Sequence, residues 1–247
     1  MDKKNIKLTL AYDGTRYHGW QRQKTRITIQ QVIEEKIEVM VGRSVRLIAS
    51  GRTDAGVHAL NQVCNFLTHS TIAPESIKKG LNSLLPNDII VNHAEYVPSE
   101  FHARYSAKSK IYEYRILNRE CPDIFQRGFS WHVRIPLKIN EIAACLDLLE
   151  GTHDFSCFKS SGSENTDPVR SVMTAGIHGP ENGMLRLFIE ADGFLRHMVR
   201  NIVGTVVGAG LGKISPKRFV EIVDSGDRRL AGVKAPPQGL FLVEVRY

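Results

Sequence analysis

From Ile6 to Tyr96 the spacing of apolar residues switches repeatedly between a period of two and a period of about 3.6, and few folds accept the order in which it does so. Ile6, Leu8 and Leu10 alternate with Lys7, Thr9 and Ala11, which predicts a half-buried strand. Thr28 then opens a helix, with Gln31 placed to complete a capping box. Ile29, Val32, Ile33, Ile37 and Met40 give that helix an apolar face, and Gly42 ends it. Strands are expected at 45–50 and 62–68, on either side of a turn-rich segment. Pro74 starts a second helix with Ile77, Leu81, Leu84 and Leu85 inward, and 89–96 reads as a strand. The order is β-α-β-β-α-β, the ferredoxin-like pattern that RNA-recognition folds also use.

The rest of the chain repeats the theme loosely. Strands are predicted at 111–117, 131–135, 172–178, 185–191 and 240–247. Helices are predicted at 140–150, closed by Gly151, at 195–208, and from Ser215-Pro216 to Gly226. The expected class is therefore α+β: two ferredoxin-like, RRM-like halves, 1–105 and 106–247, forming a largely antiparallel central sheet flanked by helices. The polar stretch 160–168 is the best candidate for a mobile loop.

Charge narrows the partner. There are 33 Lys and Arg against 26 Asp and Glu, a formal net charge of +7, which suits a polyanion because cationic side chains release the counterions of phosphates. The four cysteines, Cys64, Cys121, Cys145 and Cys157, form no C-x-x-C pair and share no zinc spacing with histidine. Scattered thiols fit a reducing cytoplasm, and neither a signal core nor a membrane-spanning run is visible.

Four segments carry the candidate chemistry. Gly51-Arg52-Thr53-Asp54-Ala55-Gly56-Val57-His58 puts a carboxylate on a tight turn at a strand end. An oriented, ionised Asp54 beside Arg52 suits a nucleophile or general base, but also an Asp that only satisfies turn amides. The segment 12–23 interleaves Tyr12, Tyr17 and Trp20 with Arg16, His18 and Arg22. It suits either stacking on unpaired bases or a lid over the sheet. Phe101-His102-Ala103-Arg104-Tyr105 leads into a strand on which Lys110, Tyr112 and Tyr114 share one face. A tyrosine there can stack on an extruded base or belong to the core, and the core reading is preferred for Tyr114. In Phe194-Leu195-Arg196-His197-Met198-Val199-Arg200, helical spacing places Arg196 and Arg200 one turn apart on one face. The glycine-rich run 208–213 fails the phosphate-loop pattern, and no histidine and carboxylate set has metal-ligand spacing.

Together these segments closely resemble the tRNA pseudouridine synthase A family. The Arg52-Thr53-Asp54-Ala55-Gly56-Val57-His58-Ala59 run is similar to its catalytic motif, and the segments 12–23 and 101–107, Tyr112, the segment 194–204 and the closing Gly239-Leu240-Phe241-Leu242-Val243 follow in the family's order. The resemblance implies isomerisation of uridine to pseudouridine in the anticodon stem-loop of tRNAs by a cytoplasmic homodimer without metal or organic cofactor. It implies Asp54 as nucleophile, Arg200 as the ion partner of Asp54, Tyr112 packed on the target base, and Arg52 displacing the uridine. Arg196, His58 and Arg104 would bind substrate. A non-catalytic RNA-binding module of the same fold is the alternative, though a carboxylate facing phosphates serves a pure binder poorly.

Overall fold

The structure, a computed structural model, describes residues 3–160, 162 and 167–247. Most of the 160–168 segment, expected to be a mobile loop, lies outside them. The chain divides into two compact units, Met1–Lys108 with Phe241–Tyr247, and Ser109–Leu240. The strand at the end of the sequence, expected in the second half, groups with the first.

In the first unit the elements run β1 (Lys4–Tyr12), α1 (Ile29–Val41), β2 (Ile48–Ala49), β3 (His58–Thr68), α2 (Pro74–Leu84) and β4 (Ile89–Val97). β1 is central, antiparallel to both β3 and β4. β2 lies antiparallel on the far edge of β3, giving the order 4-1-3-2 of a ferredoxin-like unit. Below β2 that edge is taken by β10 (Leu240–Arg246), which runs parallel to β3 with Phe241 opposite His58.

β2 is much shorter than the predicted strand because the amide of Leu47 donates to the Glu34 carboxylate (2.9 Å), and the Leu47 carbonyl accepts from Gln30 (3.3 Å). Side chains of α1 thus take the backbone groups a strand partner would need. Half of the predicted capping of α1 is present: the Thr28 hydroxyl accepts from the Gln31 amide, and Gly42 closes the helix in the left-handed region, but the Gln31 side chain donates forward to Glu35 (2.9 Å) instead of completing a capping box. Ile6, Leu8, Leu10, Ile29, Ile33, Ile37, Phe66, Ile77 and Leu81 form a solvent-free core.

The second unit holds β5 (Ser109–Asn118), β6 (Trp131–Val133), α3 (Ile139–Asp147), β7 (Gly151–Asp154), β8 (Val169–Glu181), β9 (Met184–Ala191), α4 (Met198–Gly210) and α5 (Pro216–Ser225). Its sheet runs β5-β9-β8-β7, antiparallel throughout, with β6 parallel on β5. Because β9 separates the parallel pair β5 and β8, the split β-α-β arrangement recurs. β7 was not expected: Gly151-Thr152-His153-Asp154 is polar and exposed, with no apolar alternation to announce an edge strand. α4 buries nearly all its residues, as a helix apolar on every side must. The α+β class with mostly antiparallel strands therefore holds, and no helix among the described residues is long and apolar enough to cross a membrane.

Candidate active site

The predicted site residues divide between the units: Arg52, Asp54, His58 and Arg104 in the first, Tyr112, Arg196 and Arg200 in the second. Asp54 stands on the turn between β2 and β3, half-buried, and its carbonyl accepts from the Val57 amide (3.1 Å). The residues on either side are fixed. Ser50 donates to Gln62 (2.6 Å), and Gln62 donates to the Gly51 carbonyl (3.0 Å). Thr53 is buried, its hydroxyl 2.8 Å from that of Tyr12 and its carbonyl accepting from the Trp20 amide (3.0 Å). Burial pushes the Tyr12 hydroxyl up to about 12, so it stays a neutral donor or acceptor. The segment 14–20 lies so close that a Cβ on Gly14 would sit 2.0 Å from the Val57 carbonyl oxygen, and one on Gly19, at φ +85°, 2.5 Å from that of Thr53.

The lid reading of the segment 12–23 is therefore the correct one for its aromatic residues. Tyr12, Tyr17 and Trp20 are buried around the Asp54 turn. Arg16 pairs with Asp88 and Arg22 with Glu34 rather than standing ready for phosphate.

His58, expected to touch substrate, is 1% exposed. Its Nδ1 accepts from the Gly14 amide (3.1 Å) and its ring stacks on Phe241 at 4.7 Å, so it buttresses the turn from inside. Arg52 is exposed. Arg104 is also exposed, its guanidinium 5.7 Å above the outward-facing Tyr105 ring. His102 shapes that display by accepting the amides of Arg104 and Tyr105, both at 3.2 Å.

In the second unit Tyr112 is buried on β5 opposite Ile189 of β9, and its ring meets Phe194 edge-on at 4.9 Å. Tyr114 belongs to the core, as preferred: its hydroxyl donates to the Pro236 carbonyl (2.8 Å), and burial raises its pKa against the opposing charge of Arg200. Arg196 and Arg200 do not form the expected pair on one helical face. His197 adopts φ +64°, so α4 starts only at Met198 and Arg196 falls outside it. A left-handed residue is invisible to apolar periodicity. Arg196 is exposed and donates to the Gly162 carbonyl (3.3 Å). Arg200 is 7% exposed, and its Nε donates to the Ala235 carbonyl (2.8 Å). That bond fixes the guanidinium plane and turns its Nη edge toward other partners.

Asn201, Thr205 and Arg228, to which the sequence pattern assigns no role, bind the loop 231–235 to α4. A signal was present in Gly204, a glycine inside an otherwise good helix, which marks a close approach. Among the described residues no group of three His, Cys, Asp or Glu side chains is placed to hold a metal ion.

The family model described as tRNA pseudouridine synthase matches residues 9–106 and 146–247. The tRNA pseudouridine synthase A of Thermoanaerobacter sp. (strain X514) is 48% identical over 99% of this chain and 100% of its own length. Its counterpart in Acetivibrio thermocellus is 43% identical over the same shares. The tRNA pseudouridine synthase A 2 of Clostridium perfringens is likewise 43% identical over 99% of this chain and all of its own. The family model takes in the Asp54 turn and the Arg200 helix, and the full-length relatives also span Tyr112. The chain belongs to the tRNA pseudouridine synthase family.

Proposed function

We propose that this chain isomerises uridine to pseudouridine in the anticodon stem-loop of tRNA, with Asp54 as the nucleophile. The reaction breaks the N1–C1′ bond, turns the base and joins C5 to C1′, so nothing is gained or lost and no redox step arises. A base paired in a stem must first leave the stack, at about a few kcal/mol. Arg52, exposed beside Asp54, takes the place the uridine vacates, and the Arg104–Tyr105 pair and Arg196 hold phosphate and sugar. Tyr112 packs on the base that has turned out. Arg200 is the ion partner of the Asp54 carboxylate. The enzyme works as a homodimer in the cytoplasm, without a cofactor.

The observation that carries this reading is the construction around Asp54. Buried hydroxyl, amide and carbonyl bonds on Thr53, Gly51 and His58 immobilise a turn whose central residue, Asp54, is half-buried. Such rigidity suits a group that must meet a reacting atom at fixed geometry. The test is Asp54→Asn on an unmodified tRNA transcript, with pseudouridine mapped by carbodiimide. The variant is expected to bind tRNA as wild type does and to form no product; product at the wild-type rate would refute the assignment.

A further inference from the structure

Arg200 is clasped from the side by the loop 231–235. The Arg200 carbonyl accepts from the Ala235 amide (3.0 Å) while its Nε donates to the Ala235 carbonyl (2.8 Å), so this one residue sets both the backbone and the guanidinium plane. Further along α4 the Gly232 amide donates to the Thr205 hydroxyl (2.9 Å). The loop lies so close that a Cβ on Gly204 would fall 1.6 Å from the Val233 carbonyl oxygen.

What closes this clasp is Arg228. Its Nη1 donates to the carbonyls of Gly232 (3.0 Å) and Ala231 (3.4 Å), and its Nη2 to the side-chain oxygen of Asn201 (3.0 Å). Asn201 follows Arg200 in the chain and is 0% exposed. No carboxylate pairs with Arg228 among the described residues, because neighbouring Asp227 is held by Arg229 (2.7 Å). A half-buried guanidinium spent wholly on neutral oxygens contributes little as a charge; its use is the fork that reaches three acceptors at once.

We infer that Arg228, acting with Asn201, is a positioning residue that sets the reach of Arg200 toward its carboxylate partner. The inference rests on the reading of Arg200 as that partner. Releasing the loop moves the Ala235 carbonyl and with it the guanidinium, and a misplacement of about 1 Å in a catalytic group costs on the order of 100-fold. Substrate binding by exposed residues elsewhere is untouched.

The experiment compares Arg228→Ala, Arg228→Lys and Arg200→Ala on a tRNA transcript, with kcat normalised to the fraction of enzyme that binds tRNA. Arg228→Ala is expected to lower kcat by about 10- to 100-fold, with KM changed less than about twofold. Arg228→Lys keeps the charge but not the fork, and is expected to remain about fivefold or more below wild type in kcat. If Arg228→Ala does not fold, Arg228→Lys decides. Wild-type normalised kcat in the lysine variant, or a change in KM alone, overturns the inference. Arg200→Ala separates the two readings: wild-type turnover there removes the role of Arg200 itself. A dead Arg200→Ala beside a normal Arg228→Lys removes only the role given to Arg228.

Discussion

At the scale of single residues, the Asp54 turn is held by groups that carry no chemistry of their own. Gly19 shows this most sharply, since its φ of +85° and the Thr53 oxygen 2.5 Å from its missing Cβ leave no room for a side chain. Gly19→Ala is expected to cost roughly 2–4 kcal/mol, adding left-handed strain to a forced shift of Thr53. It is also expected to lower kcat while tRNA affinity holds. Thermal melts and a kcat/KM split test this, and a melt indistinguishable from wild type speaks against it. The turn that carries Arg52 and Asp54 was legible in the sequence, because glycines flank the Arg-Thr-Asp run that follows a strand. The burial of His58 was not legible: a histidine beside the Arg52-Thr53-Asp54 turn reads as a substrate contact until its packing against Phe241 is seen.

Among the elements, periodicity located every α-helix of the described residues and nearly every strand, because most of them turn an apolar face to the core. It failed where backbone geometry departs from the pattern. His197 delays α4 by a left-handed turn, and Glu34 draws Leu47 out of β2. α4 also offers a test in which two effects oppose. Helix propensity favours Gly204→Ala by about 1 kcal/mol. The clash with the Val233 carbonyl instead forces the 231–235 loop away and breaks its bonds to Arg200 and Thr205, each worth about 1 kcal/mol, with overpacking added. Sterics win: the variant is expected to lose about 2 kcal/mol or more, measured by denaturant unfolding. A stabilised variant would show that the loop is held only loosely.

Across the whole molecule, the division of labour between thiols is set by burial. Cys64, Cys145 and Cys157 are buried and Cys121 is exposed. Burial pushes the thiol of Cys64 up strongly, that of Cys145 to about 11 and that of Cys157 to about 12, with Glu141 and Asp154 adding to the last two. A raised value keeps the unreactive thiol form at every pH below it. A thiol reagent at pH about 8 is therefore expected to label Cys121 alone in the folded protein and all four cysteines after unfolding. Rapid labelling of a second site would mean that a core opens. The α+β class was legible at this scale, but the allegiance of β10 was not, since a parallel pairing between distant segments leaves no local trace in the residues. That pairing has a consequence for biosynthesis. The turn bearing Asp54 leaves the ribosome early, yet the strand that flanks its exit and stacks Phe241 on His58 is translated only after the entire second unit. A chain stalled before Phe241 thus carries the Asp54 turn on an unfinished scaffold, with that edge of β3 bare until β10 has been made.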